Sequence, residues 1–521
     1  METISPQTLA AVQGTNLCTY LEESTARFPQ RPAAVDPDGT TLTYEELNQR
    51  ANRIARYLVD HGVAPGDRVA LLMPKTTVTF ALLYGIMKAR AGYVPVDWNG
   101  PVERARSILA SCEVKLAFAD PRWRGLTGDT DPAIVSLDAA TWDAILQLEP
   151  LEINPAARQP DDLAFILYTS GSSGIPKGVI TTQRNATAYV DWCSWLFGGD
   201  EQDNFGNHAP FHFAMSIVDM FLPMKHGASV HLVPEELGKN PKELAGFISN
   251  HRISVWYSTP AILGLLAEFG NLSRLDFSSL RMVFFAGEPF QIKKLRLIME
   301  LWPTPVFHNL WGSTETNACT YQRIPRPIPE DRVTPYPIGP AGSHCMIMVL
   351  DDNAQPVAPG GEGLMYITGP SVFKGYWGRE TVFLERHGGI WHNTGDVVKE
   401  QEGEGFVYVG RRDRMVKRRG FRIELAEVER GLYQHPAMSE AAVIALPDLQ
   451  AGTKIIAYLV VPQEPKPSIV EMKTFCNQHL PVFMNPDVFV FTDALPRTRS
   501  NKVDYQALIR KAQAESGTAT A

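Results

Sequence analysis

A chain of 521 residues is longer than one ordinary core accommodates, so two or more domains are expected. A composition of 44% hydrophobic and 20% charged residues excludes a disordered or fibrous chain and fits a soluble globular one. The net charge of −8 is spread along the sequence, and the one basic stretch, "GRRDRMVKRRGFR" (410–422), is too short to argue for nucleic acid.

From the N-terminus, "METISPQTLAAVQG" lacks the basic and apolar regions of a signal peptide, and no run approaches 18 apolar residues. No membrane association is expected, and a cytoplasmic location is the default. The six cysteines (Cys18, Cys112, Cys193, Cys319, Cys345, Cys476) are scattered without a C-x-x-C pair. That spacing argues against a disulfide framework or a zinc site and fits a reducing compartment.

"TLTYEELNQRANRIARYLVDHG" predicts a helix. Thr43 and Glu46 fit a capping box, Leu47, Ala51, Ile54 and Leu58 follow at helical spacing, and Gly62 fits the C-terminal stop. "DRVALLMP" reads as a buried strand, "TTVTFALLYGIMKARAG" as the next helix and "YVPVD" as the next strand. The pattern repeats through "VKLAFAD", "LAFILYT", "ISVWYST" and "RMVFFAG". Such alternation predicts parallel strands with helices on both faces. Past residue 410 the texture changes: "EAAVIAL", "KIIAYLVV", "IVEMKTFCNQHLP", "VFVFT" and "VDYQALIRKA" suggest a small α+β unit of domain size. The chemistry-bearing stretch that stands out first is "LAFILYTSGSSGIPKGV" (163–179), a strand running into Thr169, Ser170, Gly171, Ser172, Ser173, Gly174, Pro176 and Lys177. Small residues let backbone N–H groups converge on an anion, and hydroxyls and a lysine add donors and charge. It is not a Walker A loop, because Gly178 stands where a magnesium-binding Ser or Thr belongs. A solvent-exposed turn is the bland alternative.

Together with this loop, "KARAGYVPVD" (88–97), "FHFAMSIVDMF" (211–221), "NLWGSTET" (309–316), "WHNTGD" (391–396), "GRRDRMVKRRGFRIELAEVE" (410–429) and "LPRTRSNKVD" (495–504) follow in order. In that set the sequence resembles the adenylate-forming superfamily, most closely the free-standing adenylation enzymes of nonribosomal peptide synthesis. The resemblance covers nearly the whole chain. It implies a large α/β N-terminal domain with parallel sheets and a small β region (1–412), binding ATP and the acid. A smaller, mobile α+β C-terminal domain (413–521) would follow, joined at a hinge on Asp413.

The implied reaction is ATP-dependent activation of a carboxylic acid to an acyl-adenylate with release of pyrophosphate. Transfer to the phosphopantetheine thiol of a separate carrier protein would follow, in secondary-metabolite biosynthesis. By resemblance, Thr169, Ser170, Gly171, Ser172, Ser173, Gly174 and Lys177 grip the β- and γ-phosphates. Thr314 contacts the α-phosphate, and Glu315 binds Mg²⁺, which is content with one carboxylate plus phosphate oxygens. Trp311 stacks on adenine where relatives usually have tyrosine, Gly287, Glu288, Asn309 and Leu310 line the purine, and Tyr408 flanks it. Asp396 accepts the ribose hydroxyls, with Arg411 in support; an aspartate after Thr-Gly could also simply cap a turn. Lys502 is the catalytic lysine, in "RSNKVD" rather than the usual Asn-Gly-Lys. Basic Arg414, Lys417, Arg418 and Arg419 could meet an acidic carrier or could be a solvated face.

Carried over position by position, the substrate pocket is lined by Phe213, Ala214, Met215, Val218, Tyr257, Phe284, Ala286, Leu310, Ala318 and Cys319. Ala214 falls where enzymes for α-amino acids carry the aspartate that pairs with the ammonium. A buried ammonium without a carboxylate loses its pairing. The expected acid therefore lacks an ordinary free α-amino group, unless Asp219 or Glu288 supplies the partner; His212 could bond a neutral hydroxyl or keto group. No condensation-type region precedes and no serine-bearing carrier motif follows, so the thiol acceptor is expected on another protein. Coenzyme A as acceptor and a non-catalytic nucleotide-binding scaffold are the alternatives.

Overall fold

The computed structural model describes residues 16–123, 133–151, 154–169, 176–412, 414–448, 452–462, 465–497 and 503–515. The capping box at Thr43 is formed: its hydroxyl accepts from the Glu46 N–H at 3.2 Å, and Glu46 Oε2 accepts from the Thr43 N–H at 2.8 Å. The helix Tyr44–Asp60 then buries Leu47, Ala51, Ile54 and Leu58 on one face. It ends where Gly62 takes a φ of +76°, with Val63 N–H donating to the Leu58 carbonyl and Gly62 N–H to that of Val59. That is the reversal a glycine makes at low cost.

Helix Thr77–Lys88 packs against this one with almost no gap. A Cβ at Gly85 would stand 2.3 Å from Ile54 Cγ2, so only glycine fits. At its end Lys88 Nζ donates to Glu22 Oε1 (2.9 Å), Asn48 Oδ1 (2.6 Å) and Asn52 Oδ1 (2.7 Å), while Arg158 grips both oxygens of Glu22 at 2.8 and 2.6 Å. This network ties helices Leu17–Arg27, Tyr44–Asp60 and Thr77–Lys88 together. A buried lysine is stable here because every donor has an acceptor.

Three sheets follow. The first runs Gly375–Tyr376, Lys177–Thr182, Leu163–Thr169, Gly92–Pro95, Arg68–Leu72, Leu116–Ala119 and Ala133–Ser136 in spatial order. The second runs Asn317–Arg323, Val306–Ser313, Met282–Phe285, Val255–Ser258, Asn204–Asn207, Ser229–Leu232, Pro32–Val35 and Thr41–Thr43. The helix-separated strands of both pair in parallel, as the alternation predicts. A third, antiparallel sheet is built around Glu362–Thr368 and the long strand Gly389–Gln401. This is a large α/β architecture with an added β region.

The described residues divide into two compact units, one made of those within 1–98, 108–168 and 178–410, the other of those within 99–107, 169–177 and 411–521. In the second, strands Met415–Arg418 and Phe421–Glu424 form a hairpin whose two turn residues, Arg419 and Gly420, both have positive φ (51° and 81°), the mirror-image turn that suits strand twist. Strands Glu440–Asp448, Gly452–Val460 and Val488–Phe491 make a three-stranded sheet, and helices Leu425–Leu432, Ile469–His479 and Tyr505–Glu515 complete an α+β unit. No described helix is long and apolar enough to cross a membrane.

Candidate active site

Strands Val306–Ser313 and Asn317–Arg323 are antiparallel neighbours, and the turn between them presents Thr314 and Glu315. The turn is pinned from within: Ser313 N–H donates to Thr316 Oγ1 at 3.1 Å, and Asn317 sits at a φ of +56°. Glu315 is 1% exposed. Its Oε1 accepts a 2.9 Å hydrogen bond from the Tyr376 hydroxyl, and its carbonyl accepts from the Phe373 N–H at 2.8 Å. Tyr376 in turn lies on the short strand Gly375–Tyr376, paired with Lys177–Thr182 through Val179. The Glu315 carboxylate is thereby anchored on the strand that follows the 169–177 loop. One sheltered carboxylate oriented by a hydroxyl is a donor set that fits magnesium, which also uses phosphate oxygens. Tyr376 escaped the sequence reading, since 61 residues separate it from Glu315 and no spacing rule links them.

The phosphate-type loop joins Leu163–Thr169 to Lys177–Thr182, neighbours in the seven-stranded sheet. Ser170, Gly171, Ser172, Ser173 and Gly174 lie outside the described residues, as do Asp413 and Lys502. At the edges of the loop, Lys177 is half-buried and Thr169 carries a buried hydroxyl with no hydrogen-bond partner among the described residues. An orphaned hydroxyl at that point suits a polar ligand.

Asp396 is held by a distortion of its strand. Tyr366 pairs with Asn393, but Leu364 pairs with Val397, so extra residues of Gly389–Gln401 bulge out at 394–396. Gly395 permits the bulge with a φ of +74°. Asp396 N–H donates to Thr394 Oγ1 (3.1 Å), which itself donates to the Met365 carbonyl (2.9 Å). The backbone thus fixes Asp396, 1% exposed, at a defined point of the sheet. Trp311, Cys319 and Val179 share one apolar cluster with half-buried Tyr376 and Tyr408 packed against it, and Met365 belongs to the same cluster. Asn309 is buried and donates to the Pro337 carbonyl at 3.0 Å. Gly287 has a φ of +101°. Glu288 accepts from the Ala261 N–H at 2.9 Å, in the first turn of helix Pro260–Phe269. Arg411 is the last residue of strand Gly405–Arg411.

Most of the expected pocket residues share one extended apolar cluster. Val218, Tyr257, Phe284, Ala286, Leu310 and Ala318 belong to a single buried apolar cluster, with partly exposed Ala214 and Met215 packed on it. Tyr257 and Phe284 meet edge to face at 5.9 Å between centroids. Cys319 sits instead in the Trp311 cluster. "FHFAMSIVDMF" therefore splits: residues 212–215 form a half-buried turn, and 216–221 open the buried helix Ser216–His226. Phe213 closes the turn by accepting from Ser216 Oγ at 2.7 Å, with the His212 ring 4.7 Å from its own.

Two expectations change. Cysteine spacing spoke against a metal-type cluster, yet buried Cys319, His344 and Cys345 bring their ligand atoms within 4.8 Å of one another; only the fold brings position 319 next to 344 and 345. The basic stretch is also less available than its sequence suggests. Arg414 pairs with Glu429 at 2.7 Å, and buried Arg418 binds Asp487 and the Asn485 carbonyl. Among these, Arg419 stands exposed at the hairpin tip.

With a nucleotide-type constellation on such a scaffold, the family follows. Residues 21–377 match the model of the AMP-binding enzymes, and 427–502 match the AMP-binding enzyme C-terminal domain, so the chain belongs to that family. The particular likeness is closer still. The chain is 37% identical over 508 residues to a Streptomyces coelicolor ligase that joins L-proline to an L-prolyl-carrier protein, covering 93% of this chain and 94% of that one. A Pseudomonas fluorescens ligase with the same description is 36% identical, over 94% and 98% of the two chains. Among solved structures, the o-succinylbenzoate–CoA synthetase of Bacillus subtilis superposes with a TM-score of 0.81 at 24% identity, covering 94% of this chain and 97% of that one. An artificially fused adenylation–PCP di-domain from Klebsiella oxytoca superposes with 0.79 at 21%, covering 98% of each. These two share the fold. The chain is an AMP-forming ligase, and its family uses ATP.

Proposed function

We propose that the protein adenylates an amino acid, L-proline or a close cyclic relative, and passes it to the phosphopantetheine thiol of a separate carrier protein. The observation that carries this reading is the near-complete overlap, at 37% and 36% identity, with two ligases that act on L-proline and a carrier. The substrate carboxylate attacks the α-phosphorus of ATP in line, and pyrophosphate leaves. Thr314 and the 169–177 loop position the phosphates, Asp396 and Arg411 the ribose, and Trp311 and Tyr408 the base. Lys502, in the C-terminal domain expected over 413–521, neutralises charge between the carboxylate and the phosphate. Glu315 would hold Mg²⁺, which when bound polarises the phosphate oxygens. Rotation at Asp413 would then withdraw Lys502 and admit the thiol.

Ala214 favours a second reading, a neutral acid without a free α-amino group. The relatives give it no support, since the nitrogen of L-proline is a cation at neutral pH. ATP–pyrophosphate exchange across L-proline, common L-amino acids and their desamino counterparts decides between the two. Exchange highest with L-proline supports the first reading, and exchange with desamino acids alone overturns it. Supplying holo-carrier protein and coenzyme A in parallel then identifies the acceptor. Coenzyme A as the better acceptor would make the enzyme an acyl-CoA ligase, and ATP binding without exchange would leave a scaffold.

A further inference from the structure

An amino-acid substrate needs an anion for its nitrogen, and Ala214 has none to give. Of the two acids near the pocket in sequence, Glu288 is committed to the Ala261 N–H at 2.9 Å. Asp219 is different. It is 2% exposed, and its Oδ2 has no hydrogen-bond partner among the described residues. Its chain neighbours Val218 and Met220 belong to the cluster that contains Tyr257, Phe284, Ala286, Leu310 and Ala318. Asp219 lies in the first turn of helix Ser216–His226, four residues after the pocket residue Met215. Residues four apart share a helix face, and helical side chains lean toward the N-terminus. Asp219 thereby shares a helix face with Met215, at the N-terminal end that follows the 212–215 turn.

The surroundings compensate this acid only in part. Its charged neighbour is Lys75, and the Lys75 ammonium is occupied by the carbonyls of Asn207 (2.8 Å), His208 (2.9 Å) and Ala209 (3.1 Å). The other titratable groups that feel it, Tyr189, Cys193 and Tyr257, are neutral. Burial pushes the Asp219 carboxyl well above the usual carboxylate range, against the pull of Lys75. A buried carboxyl with an unmet oxygen is costly unless a ligand completes it.

We propose that Asp219 is the carboxylate that pairs with the cationic nitrogen of the substrate, one helical turn beyond the position where Ala214 leaves none. The pairing rests on the amino-acid reading above. It makes Asp219 a specificity-determining residue: a neutral acid of the same shape leaves its oxygen unmet, whereas the ammonium completes it.

The test compares L-proline with cyclopentanecarboxylate, the same ring without the nitrogen, by pyrophosphate exchange in wild type and in Asp219→Asn. Wild type is expected to favour L-proline. In Asp219→Asn, kcat/KM should fall about 100-fold for L-proline and no more than a few-fold for cyclopentanecarboxylate, collapsing the preference. Adding Ala214→Asp to Asp219→Asn should recover part of the L-proline activity, which loss of folding would not allow. Equal losses for both acids without that recovery, or an unchanged preference, overturn the pairing and leave the amino-acid reading standing. A wild type that itself prefers cyclopentanecarboxylate overturns both.

Discussion

The Tyr376 hydroxyl donates to Glu315 Oε1 at 2.9 Å, linking a turn to a short strand 61 residues further along the chain. If Glu315 holds magnesium as proposed, Tyr376 would act on it by orienting the carboxylate, since its hydroxyl proton is already donated to Glu315. Tyr376→Phe should raise the Mg²⁺ concentration for half-maximal pyrophosphate exchange about 10-fold. Exchange at saturating Mg²⁺ should change far less. An unchanged Mg²⁺ dependence would mean that Glu315 does not hold the ion.

A comparable device holds Asp396, and there the glycine carries it. Gly395 has a φ of +74° inside a strand, a conformation that costs an L-residue with a Cβ about 1–2 kcal/mol. Gly395→Ala should flatten the 394–396 bulge and turn the Asp396 carboxylate. The expected result is a several-fold rise in the KM for ATP with little change in the KM for the acid. A loss shared equally by both substrates would place the effect on folding instead.

Local chemistry made much of this architecture readable. Thr43 and Glu46 are three residues apart, so a capping box can be recognised from their identity alone, and the Thr-Gly-Asp run marks an acid next to a special backbone angle. What stayed hidden depends on contacts distant in sequence. Tyr376 meets Glu315 because a two-residue strand pairs beside Val179, and Cys319 meets His344 and Cys345 through the fold. "FHFAMSIVDMF" showed that Ala214 lacks an acid, but Asp219's unmet oxygen depends on burial and neighbours that a linear alignment does not contain.

The Glu22 carboxylate sits between Lys88 and Arg158, whose side chains are almost wholly buried. Burial alone raises its pKa, but the hydrogen bonds from Arg158 and the charge of Lys88 outweigh it and hold the folded value below the ordinary 4.5. A carboxyl lowered on folding contributes stability above its unfolded pKa, and that contribution is lost as pH falls through the folded value. Glu22→Gln leaves two buried cations without their anion and should cost about 2–3 kcal/mol at pH 7, toward the low side for a broken buried pair because Glu22 is a quarter exposed. Urea midpoints of the two proteins should converge as the pH falls below the ordinary 4.5 and through the lowered folded value. A gap that stays constant with pH would assign the loss to packing.

The role proposed for Lys502 separates chemistry from binding. If it neutralises charge only as the carboxylate attacks the α-phosphorus, its removal should leave nucleotide affinity nearly intact and slow adenylation alone. Lys502→Ala should therefore reduce kcat for pyrophosphate exchange by about 10²–10³-fold, the range for losing one positioned transition-state contact. Its affinity for ATP, measured by titration calorimetry, should stay within a few-fold of wild type. Thiol loading from a presynthesised prolyl-adenylate should persist if the proposed rotation withdraws Lys502 for that half-reaction. Loss of thiol loading along with adenylation would give Lys502 a role in both steps and rule out a rotation that removes it.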